Sequence, residues 1–125
     1  MGLTTKVERH DPRRVTISLA GSLDTATAPE LEKILRPVLE GAETRLVIFE
    51  LADLEFLSSA GIRVLLAARK SLKAREGIFA MRNTQPQIAK VFEVIQALPG
   101  FAIFGSEAEM DAYLAEVQRK AVEGR

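Results

Sequence analysis

The chain has 125 residues, 47% of them hydrophobic, with 17 basic and 17 acidic side chains, a single histidine and no cysteine. That length and apolar content suit one folded domain with a core of its own, and the balanced charge argues against a general nucleic-acid binder. Lack of cysteine excludes disulfides, thiolate metal sites and cysteine nucleophiles, while the one histidine, His10, rules out a multi-histidine metal site and leaves a Ser-His-Asp hydrolase without support.

No apolar run approaches the roughly 18 to 20 residues that span a bilayer. The N-terminal segment MGLTTKVERHD has no signal-peptide core. A cytoplasmic protein without membrane insertion is therefore expected. Gly2 opens a loose myristoylation pattern, but Lys6 stands where that pattern needs serine or threonine.

The elements alternate along the chain. TKVERH and RVTISLAG read as two strands around a DPR turn, and Val15, Ile17 and Leu19 alternate with Thr16, Ser18 and Ala20. His10 falls on the surface of this hairpin. SLDTATAPELEKILRPVLEGAE follows. Thr27 and Glu30 have the spacing of a capping box, Pro29 fits the first turn, and Leu31, Ile34, Leu35, Val38 and Leu39 recur at helical spacing to a stop at Gly41. Pro37 inside this helix predicts a local kink. TRLVIFEL reads as a buried central strand.

ADLEFLSSAGIRVLLAARK then places two serines between that strand and a helix running to about Arg75. Either Ser58 or Ser59 can cap the helix. Gly61, Leu65, Ala68 and Leu72 form its core face. Arg63, Leu66, Lys70 and Lys73 lie opposite, so Leu66 is an apolar residue on a basic, exposed face. With Phe56, Leu57 and Ile62 it predicts a modest apolar patch with a basic rim, a surface suited to a protein partner. A helix N-terminus also tolerates a phosphate, because its free amides and partial positive charge face the anion.

GIFAMR is the next strand. NTQPQIAKVFEVIQALPG is a helix with Ile88, Val91, Phe92 and Ile95 inward, ended by Pro99 and Gly100. FAIF is a last short strand. GSEAEMDAYLAEVQRKA closes the chain as a helix capped by Ser106 and Glu109, with Met110, Tyr113, Leu114 and Val117 as its buried stripe. The remaining basic tail reads as solvated. Strands alternating with helices predict a single α/β domain over residues 1–125, its core about 5–118. The sheet is mostly parallel with an antiparallel N-terminal edge, and four helices cover it.

GSLDTATAPELE followed by LVIFELADLEFLSSAGIRVLL resembles the STAS domain family, specifically the bacterial anti-sigma factor antagonists. The first motif resembles the family's glycine-x-leucine-aspartate turn, the second its phosphorylation loop. The resemblance implies a protein-binding module rather than an enzyme, with no cofactor. It implies that an anti-sigma factor acting as a serine switch kinase phosphorylates the loop. The unphosphorylated form sequesters that partner, and a PP2C-type phosphatase resets the switch. Aligning Phe56 and Gly61 with the family pattern places Ser59 at the phosphoacceptor position, with Ser58 as a second candidate acceptor. Ser58 stands where many members carry aspartate, and Ala60 where many carry serine or threonine. Asp24 matches the aspartate of the earlier turn, which in the family fold lies close to the phosphorylation loop. Taken with the patch read from the helix faces, the expected partner-binding set is Asp24, Phe56, Leu57, Ser58, Ser59, Ile62, Arg63, Leu66 and Lys70. In that set Arg63 is placed to pair with a phosphate or an acidic partner.

Two other readings compete. Members of the family also serve as constitutive scaffolds in stressosome-like assemblies and in anion- or lipid-transport complexes. A phosphate-accepting receiver or small α/β enzyme is the third class, but Glu50 stands where a receiver needs aspartate, and no glycine-rich phosphate loop is present. Asp53 and Glu55, two residues apart with no third ligand in view, make no metal site.

Overall fold

The computed structural model describes residues 2–97 and 104–124. In chain order these form β1 (Leu3–Asp11), β2 (Arg14–Leu23), α1 (Ala28–Glu40), β3 (Leu46–Leu57), α2 (Ser59–Ala74), β4 (Ile78–Arg82), α3 (Pro86–Ala97) and α4 (Glu107–Glu123). The described strands make one sheet in the order β1-β2-β3-β4. β1 runs antiparallel to β2, while β2, β3 and β4 are parallel. The expected mixed sheet with an antiparallel N-terminal edge and four helices is thus present. Residues 101–103 of the expected FAIF strand, and the Pro99-Gly100 helix stop, lie outside the described residues.

One face of the sheet is apolar because β2 and β3 alternate in step. Val15 and Ile17 of β2 pair in register with Val47 and Phe49 of β3, and these four and Leu19 are fully or almost fully buried. They join Leu31, Leu35 and Val38 of α1, Leu65, Ala68 and Leu72 of α2, Ile88 and Val91 of α3, and Met110 and Leu114 of α4 in one cluster. Burying a large aliphatic or aromatic side chain contributes about 1.5–3 kcal/mol, so this cluster is the main source of stability. The opposite face carries polar pairs: His10 Nε2 lies 2.8 Å from Thr16 Oγ1, and Arg82 pairs with Glu50 at 2.8 Å.

β3 continues six residues beyond the predicted strand end at Leu51. The reason is visible in its register. β3 slips against β2 between Ser18 and Ala20 and again between Gly21 and Ser22. Each slip inserts an extra β3 residue, so the buried positions run Val47, Phe49, Leu51, then Leu54 and Leu57. Bulges of this kind bend a strand and break its period of two. They carry the chain on to Ser58.

Two other local expectations are corrected. Thr27 is the N-cap of α1, but its side chain makes no capping bond and Glu30 does not complete a box. The hydroxyl of Thr27 instead donates to Ser22 O at 2.8 Å and accepts from Asp24 N at 2.9 Å. Asp24 Oδ1 accepts from the amides of Ala26 and Thr27, both at 3.0 Å, so an aspartate turn starts the helix. In α4, Tyr113 is 42% exposed rather than buried. Its ring stacks on Phe104 at 5.5 Å, and Gln118 takes the inward position one turn beyond Leu114. The Ser106 cap is as expected, its Oγ accepting from Glu109 N at 3.1 Å.

Candidate functional site

The Ser58–Ser59 step joins the end of β3 to the start of α2, next to the end of the parallel strand β2. Ser58 is the cap. Its backbone is extended, its Oγ accepts from Gly61 N at 3.4 Å, and its carbonyl accepts from Ile62 N at 2.9 Å. Its own amide donates to Leu23 O at 2.9 Å, which ties the loop to the residue before Asp24. Asp24 and the two serines therefore sit at neighbouring strand ends.

Gly61 makes that approach close. A Cβ there would lie 2.6 Å from Leu23 Cγ and 2.8 Å from Leu23 O, so the first turn of α2 packs directly on the backbone of β2. Only glycine leaves the required space.

Ser59 is the first helical residue and has no exposed surface. Its Oγ is buried and has no hydrogen-bond partner among the described residues. Thr44 Oγ1 and Gln87 Oε1 are likewise buried without a partner among the described residues. The Ser59 amide is occupied: it donates to Asp111 Oδ1 of α4 at 2.8 Å. α2 has no acidic residue in its own first turn, so Asp111 supplies the negative charge that a helix N-terminus favours.

α4 grips this step at two further points. The Gln118 side chain pairs with Leu57 like a neighbouring strand: Leu57 N donates to its Oε1 at 2.9 Å, and its Nε2 donates to Leu57 O at 2.8 Å. Arg63 Nη1 forms an ion pair with Glu107 Oε2 at 3.1 Å.

The expected apolar patch is not there. Leu57 and Ile62 are fully buried, and Leu66 is half-buried against the core. The extension of β3 turns Leu57 inward. α2 buries a wide arc that includes Ile62 and Val64 beside Gly61, Leu65, Ala68 and Leu72. Phe56 remains half-buried. The exposed face of α2 includes Arg63, Ala67 and Lys70, a ridge at helical spacing, with Arg69 and Lys73 beside it. Beside it, between α1 and α2, runs a groove of about 660 Å³ whose wall includes Thr25, Pro29, Arg36, Ala60 and Ala67.

Glu50 is held in place by Arg82, by Asn83 at 2.9 Å and by the amide of Ala52 at 3.0 Å. Desolvation raises its pKa, but these hydrogen bonds outweigh it and hold the carboxyl below its ordinary range. Among the described residues no group of three or more His, Asp or Glu side chains converges on a metal position, and Asp53 and Glu55 are both exposed.

Sequence reasoning missed Asp111, Gln118 and Glu107. They lie 44 to 61 residues from the groups they contact, and no local motif announces them. Gln118 alone left a signal: it continues the Met110–Leu114 stripe at the next fourth position, where a polar residue has to be paired.

A sequence profile described as "STAS domain" matches residues 5–110. BtrV of Bordetella bronchiseptica, named for anti-sigma factor antagonism, is 32% identical over 102 residues, covering 81% of this chain and 87% of that protein. The anti-sigma-B factor antagonist of Listeria monocytogenes is 26% identical over 113 residues, covering 89% and 96%. Among solved structures, an anti-sigma factor antagonist from Mycobacterium paratuberculosis matches with a TM-score of 0.62 at 25% identity, covering 93% of this chain and 94% of that one. The unphosphorylated form of SpoIIAA matches in fold, with a TM-score of 0.64 at 23% identity over 72% of this chain and 82% of that one.

Proposed function

The chain belongs to the STAS domain family, and we propose that it is an anti-sigma factor antagonist whose hold on its partner is switched at Ser59. It works as a protein-binding module in the cytoplasm and catalyses no reaction itself. No described helix is long and apolar enough to cross a membrane.

The observation that carries the reading is the position of Ser59, the first residue of α2 with an unpartnered hydroxyl, beside the turn that holds Asp24. An anti-sigma factor acting as a kinase supplies a nucleoside triphosphate. Ser59 Oγ attacks its terminal phosphorus, the hydroxyl proton leaves to a base, and the nucleoside diphosphate departs. A PP2C-type phosphatase hydrolyses the ester with water, which restores the hydroxyl and releases inorganic phosphate. The phosphate adds about −1.5 to −2 charges at the helix start, a charge that a docked partner would have to accommodate. The proposed partner surface joins Asp24 and Phe56 to the Arg63, Leu66 and Lys70 side of α2, with Ser58 and Ser59 buried beneath it. Leu57 and Ile62 shape that surface from behind.

Calorimetry against the cognate anti-sigma factor tests this. Wild type and Ser59→Ala bind alike, and Ser59→Asp binds at least about tenfold more weakly, a loss of about 1.4 kcal/mol. Equal affinity of Ser59→Asp and wild type contradicts the switch. One observation favours the second reading, a constitutive scaffold: Ser59 has no exposed surface. For a scaffold, mass spectrometry of protein from its own cells finds neither Ser58 nor Ser59 phosphorylated under any growth condition.

A further inference from the structure

β1 is the last strand on its side of the sheet, and among the described residues it pairs only with β2. The Gly2 carbonyl accepts from Ser22 N at 3.2 Å, so Gly2 and Ser22 face each other as a hydrogen-bonded pair. Antiparallel ladders alternate such pairs with non-bonded ones, and this register runs unbroken from Leu3–Gly21 to Arg9–Val15. Thr4, Lys6 and Glu8 therefore turn their amides and carbonyls towards β2. Leu3, Thr5, Val7 and Arg9 turn theirs to the open edge. Val7, in the middle of that row, is 44% exposed. An open edge with an apolar centre is a template for another strand.

The charges say which strand. Lys6 and Glu8 flank Val7 on one face of β1, both exposed and 3.8 Å apart. A two-fold axis through Val7 brings a second copy of β1 alongside, antiparallel, with Lys6 opposite Glu8 of the second copy and Glu8 opposite its Lys6. The outward backbone groups match in the same register: Val7 faces Val7 and Thr5 faces Arg9, each pair exchanging both hydrogen bonds. Neighbouring registers lose this. An axis through Lys6 sets Lys6 against Lys6, one through Glu8 sets Glu8 against Glu8, and like charges directly opposite are destabilising. An axis through Thr5 leaves the two charges facing Thr4 and Gly2, and one through Arg9 runs into the irregularity between Arg9 and Asp11. A lone lysine on an edge strand discourages pairing. Lys6 and Glu8 together permit it, with a copy of the same strand and in one register.

We propose that the chain forms a two-fold dimer by antiparallel β1–β1 pairing centred on Val7, which joins the two sheets into one. Because β1 then runs against itself, β2 and β3 of the two copies also point in opposite directions, and the two Ser59 loops lie at opposite ends of the joined sheet. The pairing uses no residue of the Ser59 loop, so it stands whether or not Ser59 is switched. One strand from each copy buries less than the roughly 1,200–2,000 Å² of stable interfaces, so a dissociation constant on the order of 10 μM is expected.

Analytical ultracentrifugation of the full chain from about 1 to 500 μM, a range that brackets this constant, tests the dimer. Wild type should pass from monomer to dimer. Val7→Pro removes the outward amide at the axis, a place where an edge strand tolerates proline, so circular dichroism should show the fold retained while the dimer is lost. Lys6→Glu sets acid against acid and Glu8→Lys sets base against base, and each should weaken association about tenfold. Mixing these two variants in equal amounts, or making both changes in one chain, restores opposite pairs and should return wild-type association.

A wild-type chain that stays monomeric throughout the range overturns the proposal. So does a dimer that a folded Val7→Pro leaves intact. If Val7→Pro does not fold, the charge series decides alone: single reversals that do not weaken the dimer, or a mixture that does not recover it, overturn the pairing.

Discussion

The start of α2 is held from two sides, and the two sides are built differently. Towards β2 the contact is backbone on backbone: Gly61 packs against Leu23, and the Ser58 amide bonds to the Leu23 carbonyl. Towards α4 it is side chain on backbone or side chain on side chain, through Gln118, Asp111 and Glu107. Close-packed backbone contacts have no alternative arrangement of similar energy. Polar side-chain contacts do where they reach water, as the half-exposed Arg63–Glu107 pair does. One side of the loop is therefore a backbone frame, and the other a set of polar side-chain contacts on a helix that Met110 and Leu114 anchor in the core.

Substitutions on the two sides should separate them. The largest effect is expected on the backbone side. Gly61→Ala forces a methyl against Leu23 and should lower unfolding stability by about 2–3 kcal/mol in urea titration, although alanine is the better helix former by about 1 kcal/mol. A neutral or stabilising Gly61→Ala would break the comparison. Next comes Gln118→Ala, which leaves the buried amide and carbonyl of Leu57 unpaired; a loss of about 1–3 kcal/mol is expected from the same titration.

Asp111→Ala should cost less, about 1 kcal/mol or below in thermal melting, because it removes one charged cap from a helix end that Ser58 still caps. The smallest change is expected for Glu107→Gln, whose salt bridge to Arg63 is half exposed at both ends. Its melting temperature should match that of wild type, and any difference should vanish in high salt.

The same contrast explains what could be read from the sequence. The period-two pattern of Val15, Ile17 and Leu19 and the helical stripe of Leu31, Leu35 and Val38 report contacts that each element makes along one face, so they were legible. The core face of α2 was legible for the same reason, and Gly61 belonged to it. The strand end at Leu57 was not, because two bulges put β3 out of its own period. That error moved Leu57 from the core to the surface and, with Ile62, produced a patch that the fold does not contain. Thr27 had the spacing of a cap, but the Ser22 carbonyl and the Asp24 amide use its hydroxyl instead. Tyr113 fitted the buried stripe by spacing, yet its hydroxyl end needs water or a partner, and the chain turns it outward onto Phe104. The contacts of α4 with the serine loop cross more than forty residues of sequence and depend on the folded state alone.

The most direct measurement is to mix the purified chain with its anti-sigma factor and a nucleoside triphosphate and locate the phosphate by tandem mass spectrometry. The account predicts one phosphate, on Ser59, and none on Ser59→Ala. Phosphate on Ser58 in place of Ser59, or none while the two proteins bind, would contradict it.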